Sequence, residues 1–395
     1  MASKININKV IQFLIGMLIF FYFFNTLQIY NIKFFYLIIP PIIVLFFSLR
    51  KVTLHRENKL LILFVGLTSL SLISALMTNN DSLINTSIEN MVVLAIIMLL
   101  CWVITHVISI KSLPYLSNIS IIGAFIIFFN LFQSLSVGRY EGFFNDPNYF
   151  SSAIILFLFF IVLNLHVKNK SVGKVKKILS ILSIVILNIA VLFTASRSGI
   201  LSIVLFDLLY FLFLYKKSKS KILLISFTVL VLASFFLVSN NFLNEQLSFV
   251  LDRFFAEKGS MDSKSSLMRI NEILSGVNML SENIISFFIG SGIGSTNSLE
   301  YFSQFAVNTN MRTTRIHNTF VAVIIEQGVF SFITFMIMLL TIFRNIYRFA
   351  GEYKLIIFGL FFSQLIISTF IWTIYFIPFW FALFICSSIS RKNSF

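Results

Sequence analysis

Charge is scarce in this 395-residue chain: Asp, Glu, Lys and Arg together supply 11% of it, against about a quarter in a typical soluble domain. A chain so poor in charge cannot cover a water-facing surface, which excludes an ordinary soluble globular protein. Cysteine is scarcer still. The only two, Cys101 and Cys386, both lie inside apolar runs, where neither a disulfide framework nor a thiolate metal site is expected. Four histidines without paired spacing add no metal signature. Gly290-Ser291-Gly292-Ile293-Gly294 has no preceding strand, so it is not a dinucleotide fingerprint; it reads as a flexible loop that lets backbone approach something closely. No internal repeat is visible, which speaks against an inverted-repeat transporter.

Apolar residues fill the gap, at 58% of the chain. Runs of about 18 residues or more, each long enough to cross a hydrocarbon core about 30 Å thick, recur from end to end. The fold class this predicts is all-α: a polytopic membrane protein of about twelve transmembrane helices. They are expected near 10–29, 33–49, 60–77, 90–110, 117–137, 149–167, 178–195, 199–215, 222–239, 318–343, 354–372 and 374–390. Pro40 and Pro41 predict a kinked or re-entrant second helix, and the last two helices are close enough to form a re-entrant hairpin. The first apolar run is too long for a signal-peptide core and lacks a small-residue cleavage site, so it reads as a retained helix.

The formal charge of +15 does not point to nucleic acid, because the basic residues fall in short loops between apolar runs. Counted by loop, 21 of the 30 lie on the side of the N-terminus. The positive-inside rule then puts both termini in the cytoplasm. Residues 1–239 hold nine helices, 240–316 form one large outer-face loop, and 317–395 hold the last three. Two amphipathic patterns mark the loop, Leu243, Leu247, Leu251 and Phe254, then Leu267, Ile270, Leu274 and Val277. Each places its apolar residues on one helical face, as in helices lying at a membrane interface.

The chemistry-bearing residues gather on the predicted outer side. Arg197 sits in the short turn Thr194-Ala195-Ser196-Arg197-Ser198-Gly199; an arginine at membrane depth either snorkels to the interface or grips an anion. Arg269 lies in the second amphipathic helix. Arg312, Arg315, His317 and Asn318 converge on the start of the tenth helix, whose free N–H groups favour an anion. A basic collar touching lipid headgroups is the plainer reading of that set. Arg139, Asp146 and Asn148 belong to Gly138-Arg139-Tyr140-Glu141-Gly142-Phe143-Phe144-Asn145-Asp146-Pro147-Asn148-Tyr149, a turn entering the sixth helix that also offers the amides, carboxylates and rings of a sugar site. Glu326 and Asp207 lie within helices and are expected to hydrogen-bond a neighbouring helix or line a cavity, a proton or ion pathway being the functional alternative. His55, His106 and His166 read as structural.

These motifs, in this order, resemble the O-antigen polymerase/ligase superfamily of bacterial membrane glycosyltransferases. The likeness rests on Gly142 to Tyr149, Thr194 to Gly199, Arg269 with the Gly290–Gly294 run, and His317-Asn318 with Glu326-Gln327-Gly328. It implies an inverting sugar transfer from an undecaprenyl-pyrophosphate-linked oligosaccharide at the outer face of the bacterial inner membrane, without metal or cofactor. It assigns pyrophosphate binding to Arg197 and Arg269, with Arg312 and Arg315 beside them, and the catalytic base to His317. Arg139, Asp146, Asn148 and Asn318 would contact sugar. Neighbouring cations would keep His317 neutral, as a base requires. The implied partners are membrane lipid, the lipid-linked oligosaccharide and a chain-length regulator protein. A polymerase of O-antigen or capsule repeat units is favoured over the ligase that moves finished polymer to lipid A-core; a flippase for the same lipid-linked sugar is the reading from another class.

Overall fold

The computed structural model describes residues 7–24, 28–29, 32–49, 54–133, 139–144, 146–167, 173–217, 245, 248, 261–307 and 315–392. The chain is an all-α polytopic membrane protein. Its long helices are α1 (Ile7–Phe23), α2 (Phe34–Leu49), α3 (Arg56–Met77), α4 (Asp81–Val107), α5 (Leu113–Gln133), α6 (Pro147–His166), α7 (Lys174–Phe193) and α8 (Arg197–Lys217). After the large loop begins come α9 (Met261–Ser281) and the short α10 (Ile284–Ile289) and α11 (Leu299–Phe302). The long α12 (Thr319–Phe349), α13 (Lys354–Ser368) and α14 (Ile377–Lys392) close the bundle.

Among the described residues eight helices are long and apolar enough to cross a membrane, and α1 and α2 are shorter apolar helices. Eleven of the twelve expected spans therefore have helical counterparts; the expected 222–239 helix lies outside the described residues, as do all four residues of the first amphipathic pattern. The first helix ends at Phe23, short of the expected 29, and Gln28–Ile29 pairs antiparallel with Ile32–Lys33; α4 begins at Asp81, ahead of the expected 90. The second helix runs through Pro40 and Pro41 without interruption.

Helix α6 is the central post. Nearly its whole length is buried, from Phe150 to Leu163, while the helices around it carry exposed apolar side chains, most densely α3, α7, α8 and α12. The second amphipathic pattern behaves as its spacing predicts. Leu267, Ile270, Leu274 and Val277 are all about half exposed on α9, whereas Asn271, Glu272, Ser275 and Gly276 on its other face are buried.

The Gly290–Gly294 loop is not flexible, as expected from its composition, but clamped and buried. Helix α12 breaks at Gly328, whose φ of 81° and ψ of 169° lie outside the helical region. The break frees carbonyls that the loop caps: Ser291 N–H donates to Ile325 O at 2.9 Å and Gly292 N–H to Glu326 O at 3.2 Å. The Glu326 carboxylate returns the favour, accepting from Gly294 N–H at 3.1 Å and from the Thr296 hydroxyl. Glu326 thus bonds a neighbouring segment, the first of the roles anticipated for it. Such pairing is what lipid demands of backbone that leaves a helix.

The two glycines that meet here have no room for a side chain. A Cβ at Gly290 (φ 92°) would lie 2.2 Å from Glu326 O, and one at Gly328 2.3 Å from Phe288 O. Gly66, inside α3, meets nothing within 4 Å. Gly328→Ala should therefore destabilise the purified protein by roughly 3 kcal/mol or more, from positive-φ strain plus the clash. Gly66→Ala should leave stability unchanged or raise it by up to about 1 kcal/mol. Unfolding midpoints in detergent check both.

Candidate functional site

Polar contacts sort the loops into two ends. At one end, Thr319 Oγ1 donates to Ile371 O at 2.7 Å and accepts from Thr373 N–H at 2.7 Å, pinning the start of α12 to the non-helical 369–376 connection. Tyr149, in the first turn of α6, donates its hydroxyl to Trp372 O at 2.5 Å. The starts of α6 and α12 therefore hang on one buried segment.

The turn before α6 follows from its residues. Asp146 caps the helix by accepting from Asn148 N–H at 2.7 Å, with Pro147 at the first helical position. Asp146 Oδ1 also accepts from Asn148 Nδ2 at 2.8 Å, which turns Asn148 Oδ1 toward α8. That oxygen accepts from Ser196 Oγ at 2.5 Å and Ser198 Oγ at 3.0 Å. Ser196 in turn caps α8 through Gly199 N–H at 3.0 Å. Ala195 takes a positive φ of 48° to make the reversal, and a Cβ at Gly199 would strike Ser151 Oγ at 2.4 Å. Arg197 is thus the first residue of α8, held between two serines that share one asparagine oxygen.

The large loop delivers the remaining groups. His317 Nδ1 lies 2.8 Å from Glu272 Oε2; the carboxylate is 1% exposed and the imidazole about a quarter exposed, at 24%. With a carboxylate on Nδ1, the proton sits there and Nε2 is the nitrogen left for a second partner. Glu272 stands one helical turn after Arg269 on α9, so both project from the same side of that helix. Two residues before His317, the Arg315 guanidinium carbon lies 5.8 Å from the Tyr149 ring centroid, within cation–π reach. Asn318 caps α12, its Oδ1 accepting from Val321 N–H at 3.1 Å.

A chain of contacts accordingly runs from Glu272 through His317 and its near neighbour Arg315 to Tyr149, and from the adjacent Asn148 to the serines flanking Arg197. Of the residues singled out in the sequence, Arg197, Arg269, Arg315, His317, Asp146, Asn148 and Asn318 belong to this neighbourhood. Arg139 is exposed at the start of the loop ahead of α6, next to Tyr140, whose N–H donates to Phe193 O at 3.0 Å. Arg312 lies outside the described residues. Two assignments change in character. One carboxylate oxygen of Asp146 and the amide oxygens of Asn148 and Asn318 accept hydrogen bonds inside the protein. The charge argument for His317 considered only cations, whereas its nearest partner is an acid.

Glu272 and Tyr149 are the groups sequence reasoning passed over. The signal for Glu272 was present, on the polar face opposite Leu267, Ile270, Leu274 and Val277. Among the described residues, no three His, Cys, Asp or Glu side chains gather as a metal site would need.

Residues 181–336 match the family model described as O-antigen ligase. This segment is a domain of the O-antigen polymerase/ligase superfamily. The domain contains Arg197, Arg269, Glu272, Arg315 and His317, while the Asp146–Asn148 turn that braces Arg197 lies ahead of it. No curated protein matches the chain.

The brace is testable without an assay of function. Asn148→Ala leaves two buried serine hydroxyls without their acceptor, and should cost about 1–3 kcal/mol. Asn148→Asp keeps the acceptor oxygen and should lose less. Chemical denaturation of the two variants in detergent gives the comparison.

Proposed function

We propose that this protein is a polysaccharide polymerase that joins undecaprenyl-pyrophosphate-linked oligosaccharide repeat units of O-antigen or capsule at the outer face of the bacterial inner membrane. The observation that carries the reading is the Glu272–His317 pair, set on the loop that also bears Arg269 and Arg315 and facing the Arg197 turn through Tyr149 and Asn148. The positive-inside distribution supports an outer-face site with both termini in the cytoplasm.

The chemistry follows from the groups. An acceptor sugar hydroxyl donates its proton to His317 Nε2 as its oxygen attacks C1 of the donor sugar. The C1–O bond to pyrophosphate breaks on the opposite face, so configuration at C1 inverts and polyprenyl pyrophosphate departs. Glu272 holds the imidazole in the tautomer that can accept and stabilises it once charged. Arg197 and Arg269, assisted by Arg315, neutralise the charge that develops on the leaving diphosphate; a guanidinium fork suits phosphate oxygens. Two roles proposed from the sequence stay with this reading: Arg139 and the amide of Asn318 toward sugar, and Arg312 toward pyrophosphate. Asp146 and Asn148 act in it by bracing the Arg197 turn.

The family description favours a second reading, transfer of finished polymer to a lipid A-core acceptor. The product distinguishes the two. Loss of a polymerase leaves single repeat units on the surface glycolipid, whereas loss of a ligase leaves none and strands polymer on its carrier.

Purified protein should lengthen a lipid-pyrophosphate oligosaccharide in vitro. His317→Ala should lower turnover by roughly 10²–10⁴-fold, the worth of a positioned base, and Glu272→Gln should lower it less. Arg197→Ala should cost about 3 kcal/mol of transition-state stabilisation, on the order of 10²-fold in rate. Unaltered turnover in His317→Ala would remove the base from the scheme.

A further inference from the structure

The opposite end of the bundle holds a second constellation that the sugar chemistry does not use. Glu57, in the first turn of α3, is 1% exposed and pairs with Arg391 near the end of α14 at 2.5 Å. Ser387 donates to the same Glu57 oxygen at 2.9 Å, and Asn345 Nδ2 donates to Ser387 Oγ at 2.9 Å. Close by, Lys392 Nζ donates to His106 O at 2.8 Å and Ile108 O at 2.9 Å, tying the tip of α14 to the end of α4. These bonds form the fixed floor of a cavity of about 240 Å³ lined by Arg56, Arg344, Arg348, Arg391, Glu57 and Asn345, with Thr341 and Phe349.

Four guanidinium groups thus share a hollow with one carboxylate, which leaves three positive charges uncompensated by its lining. Satisfying the positive-inside rule requires only exposed, hydrated charges. Arg56, Arg344 and Arg348 are exposed and Arg391 is partly buried, yet the rule does not require arginines from three separate helices to line one concavity, as these do. Arg344 and Arg348 stand one turn apart on α12 and present two forks to the same space. Burial first, then the charges of Arg391, His106 and Lys392, push the nearby His55 imidazole down to about 4. Beside the cavity, Phe343, Tyr347 and Phe349 are exposed apolar side chains of the lipid-facing side of α12. The hollow is therefore open where headgroups lie.

We propose that this cavity binds a phosphate-bearing anion, either the headgroup of an acidic phospholipid or a soluble phosphate. Basic pockets between transmembrane helices on the side of the basic loops have the chemistry to hold such groups. Occupancy would brace α3, α12 and α14 against one another at the end away from His317.

Full-length protein purified in detergent is titrated with phosphatidylglycerol, phosphatidylcholine and inorganic phosphate, binding being read by native mass spectrometry and by the unfolding midpoint. The expected result is retention of, and stabilisation by, phosphatidylglycerol but not phosphatidylcholine. The double variant Arg344→Gln, Arg348→Gln should weaken it roughly thirtyfold, the loss expected for two basic groups beside an anionic headgroup. Stabilisation by inorganic phosphate, lost in the same variant, would support the site with a soluble ligand as its source. Arg344→Lys, Arg348→Lys keeps the charge without the forks and should fall between; the ligand-free midpoint of each variant reports its folding. Two results would overturn the proposal. One is indifference to all three ligands. The other is equal weakening by Lys174→Gln, Lys177→Gln in the first turn of α7, which would reduce the effect to diffuse surface charge.

Discussion

Backbone that leaves the helix inside a bilayer has no water to bond, so every such departure must be closed by the protein itself. In this chain three departures meet. Helix α12 breaks at Gly328 and is capped by the Gly290–Gly294 loop. The 369–376 connection is received by Thr319 and Tyr149. The reversals ahead of α6 and α8 close on one another through Asn148. The first two closures tie the large loop, or α12 next to it, to the bundle and the third ties the start of α8 to that of α6, and the side chains with chemistry to offer stand on those ties. Rigid placement of polar groups is thus a by-product of satisfying the backbone, and it is the preorganisation that stabilisation of a developing charge requires.

The electrostatics of the His317 end are mixed, not purely basic. Glu272 is buried against an imidazole, while Arg269 and Arg315 flank the pair along the chain. That alternation suits a reaction that moves a proton in one place and collects negative charge in another. A uniform basic collar would attract headgroups without distinguishing them. The other end has a different balance, with one carboxylate among four arginines lining one hollow.

Much of the architecture was legible in the sequence, because lipid-soluble helices announce themselves by length and composition. The face of α9 was readable too, since Leu267, Ile270, Leu274 and Val277 keep one helical period. Tertiary pairing was not. A glycine run reads as flexible until the broken helix it caps is known, and nothing local to Gly290 reveals Gly328. The oxygens of Asp146, Asn148 and Asn318 looked available for sugar because a cap and a bare polar side chain have the same sequence. Glu272 went unnoticed for the complementary reason: the imidazole that gives it meaning lies 45 residues further on. The match to the O-antigen ligase family model covers residues 181–336 and agrees with the resemblance drawn from the motifs, while the way the Asp146–Asn148 turn braces Ser196 and Ser198 was visible only in the structure.

The central claim is that groups delivered by the large loop and by the α8 turn grip one ligand. A polyprenyl diphosphate carrying a photoreactive group beside its phosphates tests it directly, with crosslinked peptides mapped by mass spectrometry. The account predicts labelling of both the Ser196–Gly199 and the Arg315–Asn318 segments, competed by unlabelled diphosphate. Labelling confined to one segment, or found at the Arg391 end instead, would contradict it.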